Sequence, residues 1–318
     1  MAITSKCLVT GGAGFIGSNL AGELIRQGAR VNIIDNFTTG FRENLEEISG
    51  DFDFIEGDIN NNQAVAKAID GVEVIFHEAA LPSVPRSVED PAETHRVCTD
   101  GTFNLLIKAK EAGVRRFIYA ASSSAYGDQP TLPKIETMCP DPLSPYAAAK
   151  LAGELYCRAF NSVYGLETLS LRYFNVFGPR QNPASMYSGV ISRFIDALMT
   201  GQTPVIYGDG EQSRDFTYIA NVVDANIRAA QTTKGLGETM NVANGDRITL
   251  NELLKVLKAI TNNQNIAADY QPARKGDIKH SQADNGRAVE CLEYSQIVRL
   301  EEGLRKTIDW WKSSRFAA

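Results

Sequence analysis

A tyrosine and a lysine whose spacing would let them share proton chemistry occur in the segment "LSPYAAAKLAGELY". Tyr146 and Lys150 are four residues apart at the start of a predicted helix over 146–163, so both project from one face. A phenol has an ordinary pKa of about 10, which must fall before the group can act as a base near neutrality. A neighbouring ammonium favours the phenolate, so we interpret Lys150 as lowering the pKa of Tyr146. Because such pairs are also common on helix surfaces, this interpretation depends on the surrounding motifs.

Three consecutive hydroxyl side chains, Ser122, Ser123 and Ser124, follow a predicted strand over 116–120 in "AASSSAYGDQP". Hydroxyls can relay protons, but the run contains no carboxylate to serve as a general acid or base. A plainer interpretation is that serines at the end of a strand bond to local backbone groups. We expect that interpretation to hold for at least one of the three.

A glycine motif indicates a dinucleotide site near the N-terminus. In "TGGAGFIG", Gly11, Gly14 and Gly17 fit the pattern G-x-x-G-x-x-G between a predicted strand over 6–10 and a predicted helix over 15–27. Glycines at such a turn let the backbone approach a pyrophosphate, whose charge is favoured at the N-terminus of a helix. Alone the motif is weak, since a glycine turn can exist without a ligand.

An acidic residue after the second predicted strand strengthens the dinucleotide interpretation. Asp35 ends "VNIID" and lies 21 residues after Gly14, close to the spacing of about 20 expected for a carboxylate that binds ribose hydroxyls. Such a carboxylate repels a 2′-phosphate, so the sequence predicts NAD rather than NADP. Asn36 is a lesser candidate for the same contact. Asp58, after the third predicted strand, is a candidate for contact with the adenine, although a solvated loop aspartate is nearly as good an interpretation.

Short apolar runs alternate with helical patterns in the first half of the chain, which predicts a parallel sheet covered by helices. The predicted strands are 6–10, 31–34, 53–55, 73–76, 116–120 and 168–172, and the predicted helices are 15–27, 63–69, 92–112 and 146–163. Later segments rich in Gly and Pro separate amphipathic helices near 189–199, 220–230, 249–260 and 301–312. We therefore predict an α/β fold, a Rossmann-type doubly wound parallel sheet with a smaller C-terminal substrate domain. The predicted NAD-binding domain spans 1–175 with a returning segment near 218–243, and the second domain spans 176–217 and 244–318.

Composition argues against several classes of protein. The 318 residues carry a formal net charge of -6 and no long basic run, so no nucleic-acid partner is expected. The chain shows neither an export signal nor 18 consecutive apolar residues, so no membrane association is expected. Its five cysteines form no C-x-x-C pair, and His77, His95 and His280 show no metal spacing. We expect a cytoplasmic protein without a metal site.

Together these motifs resemble those of the extended short-chain dehydrogenase/reductases, and within them the nucleotide-sugar 4-epimerases. The resemblance covers nearly the whole chain through "TGGAGFIGSNL", "SVPRSVEDP", "SSSAYGDQP", "SPYAAAK", "LRYFNVFGPRQ", "YGDGEQSRDFTYI" and "KGDIKHSQAD". Among relatives, the chain is most similar to bacterial UDP-N-acetylglucosamine 4-epimerases. The resemblance implies a Rossmann-type NAD domain and a smaller C-terminal domain that grips the nucleotide sugar.

The resemblance also implies roles for the hydroxyl run and the Tyr/Lys pair. The family's serine or threonine lies four residues before the tyrosine of its "YG" pair, which is Ser122 here, and Ser123 or Ser124 could share its role. Ser122 would bridge the sugar 4-hydroxyl and Tyr146, whose phenolate removes the hydroxyl proton while a hydride passes from C4 to NAD. A 4-keto sugar results, and return of the hydride to its opposite face gives the C4 epimer.

The same run separates this chain from related enzymes. Sugar 4,6-dehydratases carry an Asp-Glu pair directly after the threonine, and nucleotide-sugar decarboxylases place a glutamate nearby. Removing a C5 proton and expelling a C6 hydroxyl needs a positioned acid and base. Ser123 and Ser124 supply neither, so the resemblance favours simple oxidation and reduction at C4.

Binding residues follow from the resemblance as well. The implied cofactor contacts are Gly11, Gly14, Phe15, Ile16, Gly17, Asp35, Asn36, Asp58, Ile59, Ala79, Ala80, Tyr146, Lys150 and Tyr173, of which Tyr173 matches the residue beside the nicotinamide. Arg214 and Arg274 match positions that face the nucleotide diphosphate, which suits guanidinium groups. The remaining implied substrate contacts are Asn175, Tyr207, Asp277 at a uridine ribose hydroxyl, and Ser83 and Arg86 in the loop over the sugar.

One position bears on which sugar is bound. Ser281 lies three residues before Asp284, where relatives restricted to glucose and galactose place a bulky tyrosine beside the sugar C2 substituent. A serine leaves room for an N-acetyl group. The resemblance therefore implies UDP-GlcNAc and UDP-GalNAc as substrates, with the unacetylated pair as further candidates.

Several alternatives stay open. Another enzyme of this kind, such as a UDP-glucuronate 4-epimerase or an oxidoreductase that releases its NADH, would use the same motifs. A non-catalytic NAD-sensing module is a third interpretation, although it would be expected to have lost Tyr146 and Lys150. The apolar faces of predicted helices 92–112 and 146–163 form a four-helix interface between two subunits in this family, so we also expect a homodimer.

Overall fold

The computed structural model describes residues 3–182, 189–273 and 278–314. Its strands are β1 (Lys6–Thr10), β2 (Arg30–Asp35), β3 (Asp53–Glu56), β4 (Val74–His77), β5 (Arg116–Ser122), β6 (Glu167–Tyr173), β7 (Val176–Phe177), β8 (Val205–Tyr207), β9 (Ser213–Arg214), β10 (Thr217–Tyr218), β11 (Thr239–Val242), β12 (Ile248–Thr249) and β13 (Asp269–Gln271).

Its helices surround these strands. They are α1 (Phe15–Arg26), α2 (Arg42–Glu46), α3 (Asn62–Ile69), α4 (Val84–Glu89), α5 (Pro91–His95), α6 (Gly101–Glu111), α7 (Pro145–Tyr164), α8 (Val190–Met199), α9 (Ile219–Gln231), α10 (Leu250–Thr261), α11 (Gly286–Leu292) and α12 (Leu300–Ser313), with a π-helical turn at Arg96–Asp100 and a 3₁₀ turn at Ser123–Tyr126. No helix within the described ranges is long and apolar enough to cross a membrane.

A parallel seven-stranded sheet organises the fold, with the strand order β11-β6-β5-β4-β1-β2-β3. Its central strands are apolar on both faces because helices cover both: every residue of β4 is buried. One face packs on α1 and α9 and the other on α3, α6 and α7. The predicted α/β, Rossmann-type fold is confirmed, and all six strands predicted in the first half form within one or two residues of their expected ends.

The segment after residue 176 contributes to two places. Strand β11 joins the large sheet beside β6, with Met240 opposite Leu171, and α9 packs against the same sheet. The remaining short strands form two-stranded pairs, β7 with β10, β8 with β13 and β9 with β12. Of these pairs, β7 and β9 contribute Val176 and Arg214 to the wall of the cavity described below, and β8 contributes Tyr207 to a smaller pocket beside it. The division into two domains stays a prediction.

The predicted helix over 92–112 forms as unbroken helical backbone over 91–111, but a π-helical turn interrupts its α-helical hydrogen bonds between α5 and α6. The Arg96 carbonyl accepts the Gly101 N–H, and it also accepts the Asn60 side-chain amide at 3.0 Å. A Cβ on Gly101 would lie only 2.5 Å from Ile59 Cδ1, so this turn packs tightly against the loop after β3. The interruption therefore arises from a neighbouring segment that helical periodicity does not report.

Helix α7, which carries Tyr146 and Lys150, is fixed at both ends and along one side. Pro145 occupies its first turn, the Ser144 hydroxyl accepts the Ala147 N–H at 3.1 Å, and Gly165 ends it in the left-handed conformation. In the middle, buried Glu154 accepts two N–H groups of the Arg172 guanidinium on β6, the shorter at 2.7 Å. These contacts hold the helix against the strand that follows the hydroxyl run.

A buried histidine ties three elements together beneath the cavity. His77 Nε2 lies 2.8 Å from Thr102 Oγ1, which itself donates to the Cys98 carbonyl, so Nε2 carries the proton. Nδ1 then accepts from Thr10 Oγ1 at 2.8 Å. Burial lowers the pKa of His77, which keeps the ring neutral. This histidine connects β1, β4 and α6, and no cluster of metal-ligating side chains occurs among the described residues.

Candidate active site

A cavity of about 780 Å³ lies at the carboxyl ends of the central strands, where open α/β sheets bind ligands. The loops after β1, β2, β4, β5 and β6 line it, together with the segment before α11. It brings together nearly all the predicted site residues: Gly11, Gly14, Phe15, Ile16, Gly17, Asp35, Asn36, Asp58, Ile59, Ala79, Ala80, Ser83, Arg86, Ser122, Ser123, Ser124, Tyr146, Lys150, Tyr173, Asn175, Arg214 and Ser281.

Three predicted residues are not among these described lining residues. Tyr207 lines a smaller adjoining pocket of about 210 Å³, which shares Asn175 and Arg214 with the large cavity. Arg274 and Asp277 lie outside the described residues. Their roles in binding the diphosphate and the ribose stay predictions.

The glycine turn has no room for side chains. Gly11 has a positive φ of 67°, and a Cβ there would lie 2.8 Å from Ala79 Cα on the loop after β4. A Cβ on Gly17 would lie 2.3 Å from the Gly11 carbonyl oxygen. Helix α1 begins after Gly14, and no side chain of the described residues caps its first N–H groups. The turn and the helix N-terminus therefore form a cradle that fits a pyrophosphate.

Asp35 is held in place to receive a ribose. Its Oδ2 accepts the Ala13 N–H at 3.0 Å and its Oδ1 accepts the Phe37 N–H at 2.7 Å, and each oxygen keeps a lone pair for a further donor. Burial raises the pKa of Asp35, and the backbone N–H groups oppose that shift. This geometry fits the dinucleotide that the glycine motif predicts.

The neighbouring polar residues are engaged with each other. Asn36 Nδ2 donates to Asp58 Oδ2 at 3.4 Å, and Arg96 donates to the same oxygen at 3.2 Å. Asp58 is therefore part of an ion pair at the rim of the cavity. A contact between Asp58 and an adenine stays a prediction.

The hydroxyl run has a defined internal order. The Ser124 hydroxyl donates to Ser122 Oγ at 2.8 Å, and the Ser124 N–H approaches the same oxygen at 3.2 Å. Because Ser122 Oγ accepts these bonds, its own hydrogen is available to another acceptor. Ser124 thus orients Ser122, which favours Ser122 as the member that faces the reaction.

Burial shifts the pKa of both members of the ionisable pair. Burial raises the pKa of Tyr146, the nearby Cys98 thiol raises it further, and the Ser122 hydroxyl lowers it. Burial lowers the pKa of Lys150, whose Nζ lies 4.4 Å from the Tyr119 ring centroid. Without a bound nicotinamide ring, desolvation thus keeps the pKa of Tyr146 above its ordinary value, and the tuning of Tyr146 by Lys150 together with that ring stays a prediction.

One residue of the cavity wall, Glu78, was not predicted. It follows β4 directly and lines the cavity beside Tyr146 and Lys150. The Tyr173 hydroxyl donates to Glu78 Oε1 at 2.8 Å and accepts from Asn226 Nδ2 at 2.8 Å. A single glutamate after a strand matches no motif, so only the contact with Tyr173, 95 residues later in the chain, reveals it.

The sugar end of the cavity is built from polar contacts between loops. Asn175 Nδ2 donates to Ser281 Oγ at 3.2 Å and to the Asp215 carbonyl at 2.9 Å. Arg214 Nη1 donates to the Ser213 carbonyl at 3.0 Å, which fixes part of its guanidinium. Ser83 Oγ accepts the Arg86 N–H at 3.1 Å and begins α4. The small Ser281 side chain is thus held at the wall of the large cavity by its hydrogen bond from Asn175.

A glycine cradle, a buried aspartate and a Ser/Tyr/Lys group in one cavity define a dinucleotide-dependent enzyme of the oxidoreductase type. Residues 7–243 match the model of the NAD dependent epimerase/dehydratase family, and the chain belongs to that family.

Known relatives are similar over nearly the whole chain. A UDP-glucose 4-epimerase of Mycolicibacterium smegmatis is 38% identical over 97% of this chain and 99% of its own length. A solved UDP-N-acetylglucosamine 4-epimerase of Methanobrevibacter ruminantium, in complex with UDP-N-acetylmuramic acid, is 39% identical with a TM-score of 0.93, covering 98% of this chain and 99% of its own. A solved UDP-glucuronic acid 4-epimerase of Bacillus cereus, in complex with UDP-glucuronic acid and NAD, is 31% identical with a TM-score of 0.89, covering 97% and 99%.

These similarities confirm the predicted family, the predicted enzyme class of NAD-dependent UDP-sugar 4-epimerases and the predicted cofactor. The individual site residues and the choice among UDP-sugars are separate questions.

The cradle predicts that Gly17→Ala weakens NAD binding by at least about tenfold, because the new Cβ must push the Gly11 carbonyl from its position. The control is Gly22→Ala on the same helix, where the nearest atom to a Cβ is 3.9 Å away. The dissociation constant of NAD, measured by calorimetry, should change only in the first variant. Equal affinities of the two variants would contradict the cradle.

Proposed function

We propose that this protein catalyses the NAD-dependent 4-epimerisation of UDP-GlcNAc and UDP-GalNAc, with UDP-glucose and UDP-galactose as further substrates. The observation that carries the proposal is the small Ser281 side chain, anchored by Asn175 at the wall of the cavity that contains Ser122, Tyr146 and Lys150. The arrangement supports a sugar whose C4 lies at the hydroxyls of Ser122 and Tyr146 and whose C2 substituent lies beside Ser281.

In this proposal the protein groups handle the proton. Ser122, oriented by Ser124, donates its free hydrogen toward Tyr146, and the sugar 4-hydroxyl bonds to Ser122. The Tyr146 phenolate takes the 4-hydroxyl proton during oxidation and gives it back during reduction. Lowering a phenol pKa by about 3 units requires on the order of 4 kcal/mol of preferential stabilisation of the anion. NAD, when bound, accepts the C4 hydride and returns it, and its cationic ring adds the positive field that Lys150 alone does not provide.

The absence of carboxylates from the hydroxyl run supports epimerisation over dehydration. Loss of water across C5 and C6 needs an acid and a base next to Ser122, where this chain has Ser123 and Ser124. Reduction is then the one reaction left to the 4-keto sugar, and it follows rotation of the sugar in the site. Both faces of C4 must become accessible to the same hydride donor.

A UDP-glucuronate 4-epimerase is the second candidate, supported by the similarity to the Bacillus cereus enzyme. Incubation of the purified protein with each UDP-sugar, without added NAD, separates the candidates when the epimers are resolved by chromatography. Epimers of the acetylated sugars support the proposal. Turnover of UDP-glucuronate only, release of NADH without an epimer, or no turnover with NAD still bound would each contradict it.

We also propose a homodimer in the cytoplasm. Apolar side chains on the outer sides of two helices are exposed: Phe103 on α6, and Leu155, Tyr156, Val163 and Tyr164 on α7. All five cysteines are free thiols, as suits a reducing compartment.

The exposed face predicts a dimer mass by light scattering at micromolar concentration, because burying these side chains between two copies removes apolar surface from water. Leu155→Glu together with Val163→Glu should shift the mass to that of a monomer. A monomeric native protein would overturn the dimer.

The proton path predicts that Tyr146→Phe lowers kcat for UDP-GlcNAc by about 10²–10⁴-fold, because the variant keeps the ring but has no group to accept the proton. Cofactor content, read from absorbance after denaturation, should be unchanged. Tyr164→Phe, at the exposed end of the same helix, is the matched control and should retain activity. Retention of full activity in Tyr146→Phe would contradict the assigned base.

The wall of the sugar site predicts the effect of Ser281→Tyr. The larger ring would fill the space beside the C2 substituent, so turnover of UDP-GlcNAc should be lost and turnover of UDP-glucose spared. Ser281→Ala removes the bond from Asn175 but adds no bulk, and it should still turn over UDP-GlcNAc. Undiminished UDP-GlcNAc activity in Ser281→Tyr would refute the role of this position.

A further inference from the structure

Glu78 is a carboxylate in the cofactor cavity that the proton path above does not use. It occupies the position after β4, between the glycine turn after β1 and the hydroxyl run after β5. It lines the same cavity as Tyr146, Lys150 and Ser122. A buried acid in an active-site cavity is costly unless its charge is used or neutralised.

The contacts of Glu78 favour its charged form. Tyr173 Oη accepts from Asn226 Nδ2, so the single hydroxyl hydrogen of Tyr173 is committed to Glu78 Oε1 at 2.8 Å. Burial raises the pKa of Glu78 to about 7, while the Tyr173 hydroxyl and the Lys150 ammonium act in the opposite direction. The side chain is therefore held at a defined place, and its charge develops as the pH rises through about 7.

A charge at this place distinguishes the two states of a nicotinamide. The oxidised ring is a cation and the reduced ring is neutral, so a nearby carboxylate stabilises the oxidised state and a nearby ammonium opposes it. Hydride transfer at Ser122 and Tyr146 requires the ring in this part of the cavity, where Lys150 and Glu78 carry opposite charges. An epimerase must take the hydride and then return it, and retention of the reduced ring would stop the cycle.

We propose that the Glu78 carboxylate, held by Tyr173 and Asn226, makes the site prefer NAD over NADH and so drives return of the hydride to the 4-keto sugar. This inference rests on the NAD dependence of the proposed reaction and adds no reactant to it. The hydride leaves C4 and returns to C4, and the 4-hydroxyl proton leaves and returns, so the sugar is neither oxidised nor reduced overall.

The test is the preference of the protein for the two cofactor states. Purified protein is equilibrated with mixtures of NAD and NADH, free cofactor is removed by rapid gel filtration, and the bound ratio is measured by absorbance. Glu78→Gln keeps an acceptor for the Tyr173 hydroxyl and loses only the charge. It should shift the preference toward NADH by about tenfold, the size expected for one charge at an intermediate effective dielectric constant.

Three further variants separate charge from structure. Tyr173→Phe removes a hydrogen bond that favours the carboxylate, so at a pH well above 7, where Glu78 stays charged, its bound ratio should stay closer to that of the native protein than to that of Glu78→Gln. Glu302→Gln removes a surface charge on α12 and should leave the ratio unchanged. An unchanged ratio of bound NAD to NADH in Glu78→Gln would overturn the proposal. If Glu78→Leu and Tyr173→Phe then lose total cofactor binding to the same extent, Glu78 has only a structural role.

The pH dependence gives a second readout. The titratable groups that face Glu78 are Tyr173 on β6 and Tyr146 and Lys150 on α7. Burial raises the pKa of both tyrosines, and the change Tyr146→Phe removes the one that a cationic ring would favour as a phenolate. In the Tyr146→Phe background, the preference for NAD should rise as the pH increases through about 7 and Glu78 loses its proton, and the rise centred there should be absent after the further change Glu78→Gln. The titration contains no sugar, so its outcome is independent of which UDP-sugar the enzyme uses.

Discussion

The close approach of the β1 turn to the end of β4 is the constraint on which the active site depends. Gly11 lies against Ala79 so tightly that a single Cβ would collide with the backbone. This approach places the start of α1, the buried Asp35 and the hydroxyl run after β5 along one edge of the sheet. Because adjacent parallel strands all end at that edge, a dinucleotide can span them from Asp35 to Ser122. The remaining elements serve mainly to keep this edge in place.

The reaction centre itself depends on desolvation. Burial raises the pKa of Tyr146, lowers that of Lys150 and raises that of Glu78, so each side chain is shifted toward its neutral form. Their charges then respond strongly to whatever else enters the cavity. A cationic ring favours the phenolate and the carboxylate together, which couples cofactor binding to activation of the base. Such coupling keeps the base weak until both cofactor and sugar are present.

Local sequence patterns were enough to predict much of this architecture. The runs that form β1 to β6 are short, apolar and bounded by turn residues, and the glycine motif and Asp35 have a spacing that the backbone requires. The sequence pattern of strand β11 is weaker, because the strand is four residues long and contains the buried polar residue Asn241. The Asn241 side chain accepts a hydrogen bond from the Tyr126 hydroxyl at 2.7 Å. That polar residue belongs in a strand interior only because of a distant partner.

The features that escaped prediction share this dependence on distant contacts. The π-helical turn at Arg96–Asp100 depends on Asn60, and the role of Glu78 depends on Tyr173. The sign of the pKa shift at Tyr146 depends on how completely the folded chain excludes water, which a spacing of four residues does not report. Ser124 acquires its orienting role only once the 3₁₀ turn brings its hydroxyl to Ser122.

The central claim is that one cofactor, kept in the site, takes a hydride from C4 and returns it to the opposite face. The most direct test uses UDP-GlcNAc that carries deuterium at C4, incubated with the purified protein in ordinary water. If the retained cofactor returns the same hydride, the UDP-GalNAc that forms keeps the deuterium at C4, as measured by mass spectrometry. Loss of the deuterium to solvent, or its appearance in released NADH without an epimer, would contradict it.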